Sequence, residues 1–131
     1  MASRSLLDLA PEVRRAALAF LERASAQGLE VLIYCTLRSE EEQALLYARG
    51  RTAPGAVVTH AKPGQSLHGP DENGQAWAFD AVPMVHGKAA WNDAKLLEKM
   101  GACGKACGLQ WAGNWRGRMR EAVHFQMQKG G

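Results

Sequence analysis

From residue 11 to about residue 27 the apolar side chains fall at Val13, Ala16, Ala17, Phe20, Leu21 and Ala24, the spacing that lays one stripe along a helix. Pro11 suits its first turn and Gly28 its end. Residues 29–36 then form a nearly continuous apolar run containing Val31, Ile33 and Tyr34, which predicts a strand buried on both faces and central in a sheet. Ser39 followed by Glu42 makes a capping box that opens a second helix, running through Leu45 and Tyr47 to Gly50. Residues 51–75 hold Pro54, Gly55, Pro63, Gly64, Gly69, Pro70 and Gly74 with few apolar side chains, so a long loop is expected, and one of that size in so short a chain is usually functional. Residues 76–83 alternate as a strand, His86-Gly87 turns a short hairpin towards Trp91, and Asn92 caps a third helix to about Cys107. Gly101 and Gly104 inside that helix cost about 1 kcal/mol each relative to Ala, which predicts close packing against the sheet. Residues 109–111 and 123–127 are short final strands on either side of a polar loop.

The 131 residues suffice for one core, so residues 1–131 are expected to form a single domain. With 47% hydrophobic and 22% charged residues, the composition excludes wholesale disorder. The net charge of +3 is too small to announce a nucleic-acid binder, and most of the excess lies near the C-terminus, at Lys105, Arg116, Arg118, Arg120 and Lys129. No stretch has the length of a membrane span, and the first residues lack the apolar core of a secretion signal, so the chain is expected to be cytoplasmic on synthesis, without stable membrane association. An odd count of 3 cysteines fits that compartment; Cys103 and Cys107 read as small hydrophobes on a helix face with Leu96 and Met100.

The chemistry lies in the two late strands. Period two puts Ala78 and Asp80 on one face and Trp77 and Phe79 on the other, and likewise His124 and Gln126 opposite Phe125 and Met127. The bulky faces can pack under helices, which leaves Asp80 and His124 on an open face. His68, arriving from the long loop, supplies a third ligand, and the trio with one open position is what a catalytic zinc requires. Glu121 stands three residues before His124. It reaches the same face only across a turn or bulge, where its carboxylate can take a proton from the attacking water and pass it to a leaving amine. His60 and His86 read as ordinary loop residues, and Gln43 as polar surface. Trp111 and Trp115 belong more commonly to core or rim than to a substrate platform.

In order along the chain, Leu37-Arg38-Ser39-Glu40-Glu41-Glu42-Gln43, Gly50-Arg51-Thr52, Ala61-Lys62-Pro63-Gly64-Gln65-Ser66-Leu67-His68, Ala78-Phe79-Asp80, Gly108-Leu109-Gln110-Trp111, Asn114-Trp115 and Glu121-Ala122-Val123-His124-Phe125 resemble the motifs of the zinc L-alanyl-D-glutamate peptidases. These phage-type endolysins are related to D-alanyl-D-alanine carboxypeptidases and dipeptidases. The resemblance implies Zn2+ held by His68, Asp80 and His124, with Glu121 and Arg38 as catalytic residues and Ser66, Arg38 and Trp115 towards the substrate. It also implies an α+β fold of the hedgehog/D,D-peptidase type, a small antiparallel sheet with helices on one face and the zinc on the open face.

His68 and Asp80 are twelve apart here against seven in the usual family run, so five extra residues fall around Gly69 to Gly74, leaving Asp71 as a rival ligand. The expected activity is hydrolysis of the L-alanyl-D-glutamate bond of the peptidoglycan stem peptide. The chain would be a monomer without a nucleic-acid partner, reaching the wall after another protein releases it. The alternatives are a D-alanyl-D-alanine carboxypeptidase or dipeptidase on the same scaffold, and a metal-free wall- or nucleic-acid-binding module.

Overall fold

A computed structural model describes residues 2–59, 61, 66–117 and 120–128. His60, the Lys62-Pro63-Gly64-Gln65 part of the motif, Arg118 and Lys129 lie outside the described residues.

The stripe beginning at Pro11 forms α1 (Pro11–Ala26), which buries Val13, Ala16, Ala17, Phe20 and Ala24. It stops at Gly28, whose φ of 74° suits a residue without Cβ, and the Leu29 amide turns back to the Ala24 carbonyl at 2.9 Å. Strand β1 is Glu30–Cys35 and α2 is Glu40–Ala48, opened by the expected Ser39/Glu42 capping box. Strand β2 (Ala78–Val85) turns at His86 and Gly87 into β3 (Lys88–Ala89). Positive φ at both turn residues, 51° and 77°, is the two-residue hairpin turn whose twist matches its strands. Helix α3 (Ala94–Ala106), β4 (Gln110–Trp111) and β5 (His124–Gln126) complete the order. The cap of α3 is Asp93 rather than the expected Asn92, because its carboxylate accepts the Leu96 amide at 3.1 Å.

The sheet is antiparallel with strand order β1-β2-β5-β4, and β3 pairs the far end of β2. Helices α1 and α3 pack on each other and on one face, closing a core around Phe20, Phe79 and Phe125. Each fully buried phenylalanine contributes roughly 1.5–3 kcal/mol. Gly101 and Gly104 explain themselves here: a Cβ on the first would run into the Trp111 ring and on the second into the Phe125 ring. The small residues let α3 sit close over β4 and β5, as their place in the sequence predicted.

Two expectations need correcting. Strand β1 is an edge strand and not central: among the described residues it pairs only β2, and Leu32 is 38% exposed. Its second apolar face meets Trp91, whose ring stands edge-on to Tyr34 at 5.3 Å. Gln43 is not polar surface. It is the one buried side chain of α2, which stands apart from the helix layer and walls the site instead.

Candidate metal centre

The alternation read in the sequence is what the sheet builds. Asp80 on β2 pairs directly with His124, the first residue of β5, while Phe79 and Phe125 pair on the core side. His68 comes in from the loop, pinned three ways. Its amide donates to the Ser66 hydroxyl at 3.2 Å, its carbonyl accepts the Arg38 amide at 2.7 Å, and the adjacent Leu67 carbonyl accepts the Trp77 amide at 2.8 Å. The result is a triangle of buried atoms. His68 Nε2 lies 3.1 Å from Asp80 Oδ1, His124 Nδ1 lies 3.2 Å from the same oxygen, and the two nitrogens are 3.3 Å apart.

The outer nitrogens of both rings decide what this triangle can hold. His68 Nδ1 faces the Thr36 carbonyl at 2.8 Å, and His124 Nε2 faces Gln126 Oε1 at 2.9 Å. Both partners can only accept, so both outer nitrogens donate, and in the neutral rings Nε2 of His68 and Nδ1 of His124 carry lone pairs. Three lone-pair donors thus converge on one point, which suits a cation with its outer shell already in place. Thr36 is itself fixed, its amide donating to the Ser3 carbonyl at 2.7 Å and its hydroxyl to the Ser5 carbonyl at 2.9 Å.

Without a cation, a proton takes that focus. Burial pulls the His68 imidazolium down, but hydrogen bonds to Asp80 and Cys35 and the charge of Asp80 outweigh it and lift His68 to about 10. Burial likewise opposes ionisation of Asp80, and its contacts with His124 and His68 overcome it, holding that carboxyl well below the usual carboxylate range.

Around the triangle the other expected residues fall into place unequally. Glu121 sits in the turn before β5, where the His124 amide meets its carbonyl at 3.3 Å, and its carboxylate lies 4.0 Å from His124 Nδ1 with its side chain half exposed. This turn is what brings Glu121 to the face of His124. Arg38 Nη2 is 3.8 Å from Asp80 Oδ2. Ser66 and Trp115 line a cavity of about 620 Å³ over the triangle, and the Trp115 ring centre is 5.9 Å from that of His124. Trp111 is core, its indole N–H donating to the Ala122 carbonyl at 2.8 Å. The rival ligand Asp71 is occupied elsewhere: its carboxylate accepts the Asn73 and Gln75 amides and the Trp77 indole N–H at 2.8, 2.9 and 2.8 Å, which ties the inserted turn to the residue just before β2.

Two residues escaped the sequence reading. Gln43 accepts from Arg38 Nη1 at 2.8 Å and donates to the Ala61 carbonyl at 2.6 Å, linking arginine and loop. Its position five after Arg38 in a capped helix was the available signal. Cys35 lies 3.7 Å from His68 Nδ1 because of a bulge in β1: Ile33 pairs Ala81, yet Cys35 and not Tyr34 pairs Asp80. The extra residue turns Cys35 to the site face, and no local pattern announces a bulge.

Comparison with known proteins agrees with this geometry. The family profile described as "VanY: D-alanyl-D-alanine carboxypeptidase" matches residues 6–123. The chain belongs to the VanY family. That metallopeptidase family implies a metal, and the converging donors suit one. The VanY-family chain is 29% identical over 130 residues to the peptidoglycan L-alanyl-D-glutamate endopeptidase CwlK of Bacillus subtilis (strain 168), covering 92% of this chain and 74% of CwlK. It is 31% identical over 118 residues to the L-alanyl-D-glutamate peptidase of Listeria phage A118, covering 88% of this chain but only 38% of the phage protein. The crystal structure of the L-Ala D-Glu endopeptidase ChiX of Serratia marcescens superposes with a TM-score of 0.65 at 18% identity, over 98% of this chain and 89% of ChiX, which shows a shared fold. The α+β architecture with its site on the open face of a small antiparallel sheet is therefore as the sequence led us to expect. Among the described residues no helix is long and apolar enough to cross a membrane.

Proposed function

We propose that this chain is a zinc-dependent peptidoglycan endopeptidase that hydrolyses the L-alanyl-D-glutamate bond of the stem peptide, with residues 1–131 acting as one monomeric catalytic domain. The observation that carries the reading is the convergence of His68 Nε2, Asp80 Oδ1 and His124 Nδ1, with both histidines oriented by acceptors behind them. Tetrahedral ligands about 2.0–2.1 Å from zinc stand roughly 3.3 Å from one another, and the observed edges of 3.1, 3.2 and 3.3 Å support that ion. The names of CwlK and the phage relative favour the L-alanyl-D-glutamate bond.

When bound, zinc supplies Lewis-acid polarisation of the scissile carbonyl and lowers the pKa of a water towards about 7. The chain's own groups do the rest. Glu121, half exposed and on the open side of His124, accepts the proton of the attacking water and returns it to the leaving nitrogen. Arg38, held by Gln43, steadies a substrate carboxylate or the developing oxyanion. Ser66 and Trp115 wall the cavity that receives the stem peptide, and Thr36 and Gln126 keep the two histidines in the tautomers that ligation needs.

A defined muropeptide digest read by mass spectrometry tests this. Free disaccharide-linked L-Ala with a peptide beginning at D-Glu is the expected product. Release of D-Ala instead would establish the carboxypeptidase or dipeptidase alternative on this scaffold, and salt-sensitive binding without cleavage would establish a non-catalytic module. Glu121→Ala is expected to abolish turnover while zinc stays bound, since the ligand triangle does not include it; normal activity in that variant refutes its role.

A further inference from the structure

The open face of the sheet continues beyond the metal triangle. On β1, Leu32 pairs Val82 and Tyr34 follows next to the bulge, so both lie on the side of Asp80. Trp91, just past β3 and 52% exposed, stands edge-on to Tyr34 at 81°. Its segment is fixed, because the Ala90 amide donates to the Pro83 carbonyl at 2.8 Å. With Leu32 also exposed, this makes an apolar aromatic ledge on the open face, and such patches mark contact sites. The ledge leads into the site: Tyr34 lines a second cavity of about 390 Å³ together with Cys35, Arg38 and Asp80.

The proposed reaction dictates what must lie there. The L-Ala of a stem peptide is joined through its nitrogen to the lactyl group of N-acetylmuramic acid, so hydrolysis on the carboxyl side of L-Ala takes place one residue, about 3.5 Å of chain, from the lactyl-sugar unit. The cavity walled by Trp115 is the larger of the two and offers room for the longer remainder of the stem. The sugar therefore extends from the triangle in the other direction, over Tyr34. The geometry points to the Tyr34–Trp91 ledge as the subsite for the N-acetylmuramoyl sugar, its ring face lying against Trp91 and its polar substituents towards the Tyr34 hydroxyl. An aromatic pair with one polar handle is suited to an amphipathic ring of this kind.

This inference rests on the proposed bond specificity, and its test separates the two. Two substrates carry the same tetrapeptide, one with N-acetylmuramic acid on L-Ala and one with only an acetyl group there. The wild-type protein is expected to show a kcat/KM about tenfold higher for the sugar-bearing substrate. In Trp91→Ala that ratio falls to about threefold or less, while Leu18→Ala, at an exposed position on α1, keeps the wild-type ratio. Equal cleavage of both substrates by the wild type, an unchanged ratio in Trp91→Ala, or the same fall in both variants overturns the sugar ledge and leaves the bond assignment standing. Failure of the wild type to cut the L-alanyl-D-glutamate bond in either substrate overturns the bond assignment and the ledge with it.

Discussion

Gln43→Leu removes a side chain that no reaction scheme would single out. The buried amide accepts from Arg38 Nη1 at 2.8 Å and donates to the Ala61 carbonyl at 2.6 Å and the Thr59 hydroxyl at 3.3 Å. A hydrogen bond to a charged group contributes about 1.5–3 kcal/mol, and Arg38, 15% exposed, has little water to replace it. If that energy holds the guanidinium in place during the reaction, its loss lowers kcat/KM by about 10- to 150-fold. Gln43→Glu sharpens the test: it keeps an acceptor for Arg38 and loses the donor to Ala61, so most of the kcat/KM should return while the melting temperature stays depressed. Steady-state kinetics on a defined muropeptide, with thermal melts of each variant, give both readouts. A folded Gln43→Leu within twofold of wild-type kcat/KM would refute the idea that this glutamine positions Arg38.

Asp80→Ala should lower metal affinity by more than the roughly 10–100-fold loss seen for outer-sphere partners, whereas Asp71→Ala keeps the metal and destabilises the fold by about 1–3 kcal/mol as its turn and Trp77 lose their acceptor. The opposite pattern, by metal titration and urea melts, would exchange their roles. Because His68 is lifted to about 10 in the metal-free protein, a cation must displace its proton, so apparent metal affinity should rise about tenfold per pH unit between about pH 7 and 9. Chelator competition at several pH values checks this, and a flat profile sinks it. For the metal-free fold, His68 contributes stability below its ordinary 6.5 that is lost as pH rises through about 10, while Asp80 contributes above its ordinary 3.8 and is lost on acidification, so urea melts should show a maximum between those limits. Gly104→Ala sets a helix-propensity gain of about 1 kcal/mol against overpacking of about 1–3 kcal/mol. Phe125 cannot yield, stacked on Phe79 at 5.4 Å with Phe20 at 4.9 Å, so denaturation should show a net loss and a stabilised variant would refute the packing argument.

What the sequence made legible was local. The stripe of α1, the Ser39/Glu42 box and the alternation around Asp80 and His124 are each encoded within a few residues, and all appear in the fold. The turn that delivers Glu121 was required by the parity of its spacing from His124. His68 was placed by its motif alone, since nothing in a long loop specifies which of its residues returns to the sheet; the Thr36 carbonyl and the Ser66 hydroxyl that hold it are visible only in three dimensions.

The misreading of β1 has a physical cause that bears on function. A run of apolar residues states that both faces of a strand are to be covered, but not by what. Here the core face meets α1, while the other carries Leu32 and Tyr34 to the edge-on ring of Trp91 and leaves that ring half in water. A second layer over this face would have closed over Asp80 beside it as well, and β2, flanked on both edges yet open at Asp80, shows that a strand's place in the sheet does not decide whether such a layer forms. The apolar content of β1 thus exceeds what its own packing consumes, and the surplus lies next to the metal triangle, on the side where the proposed substrate must extend.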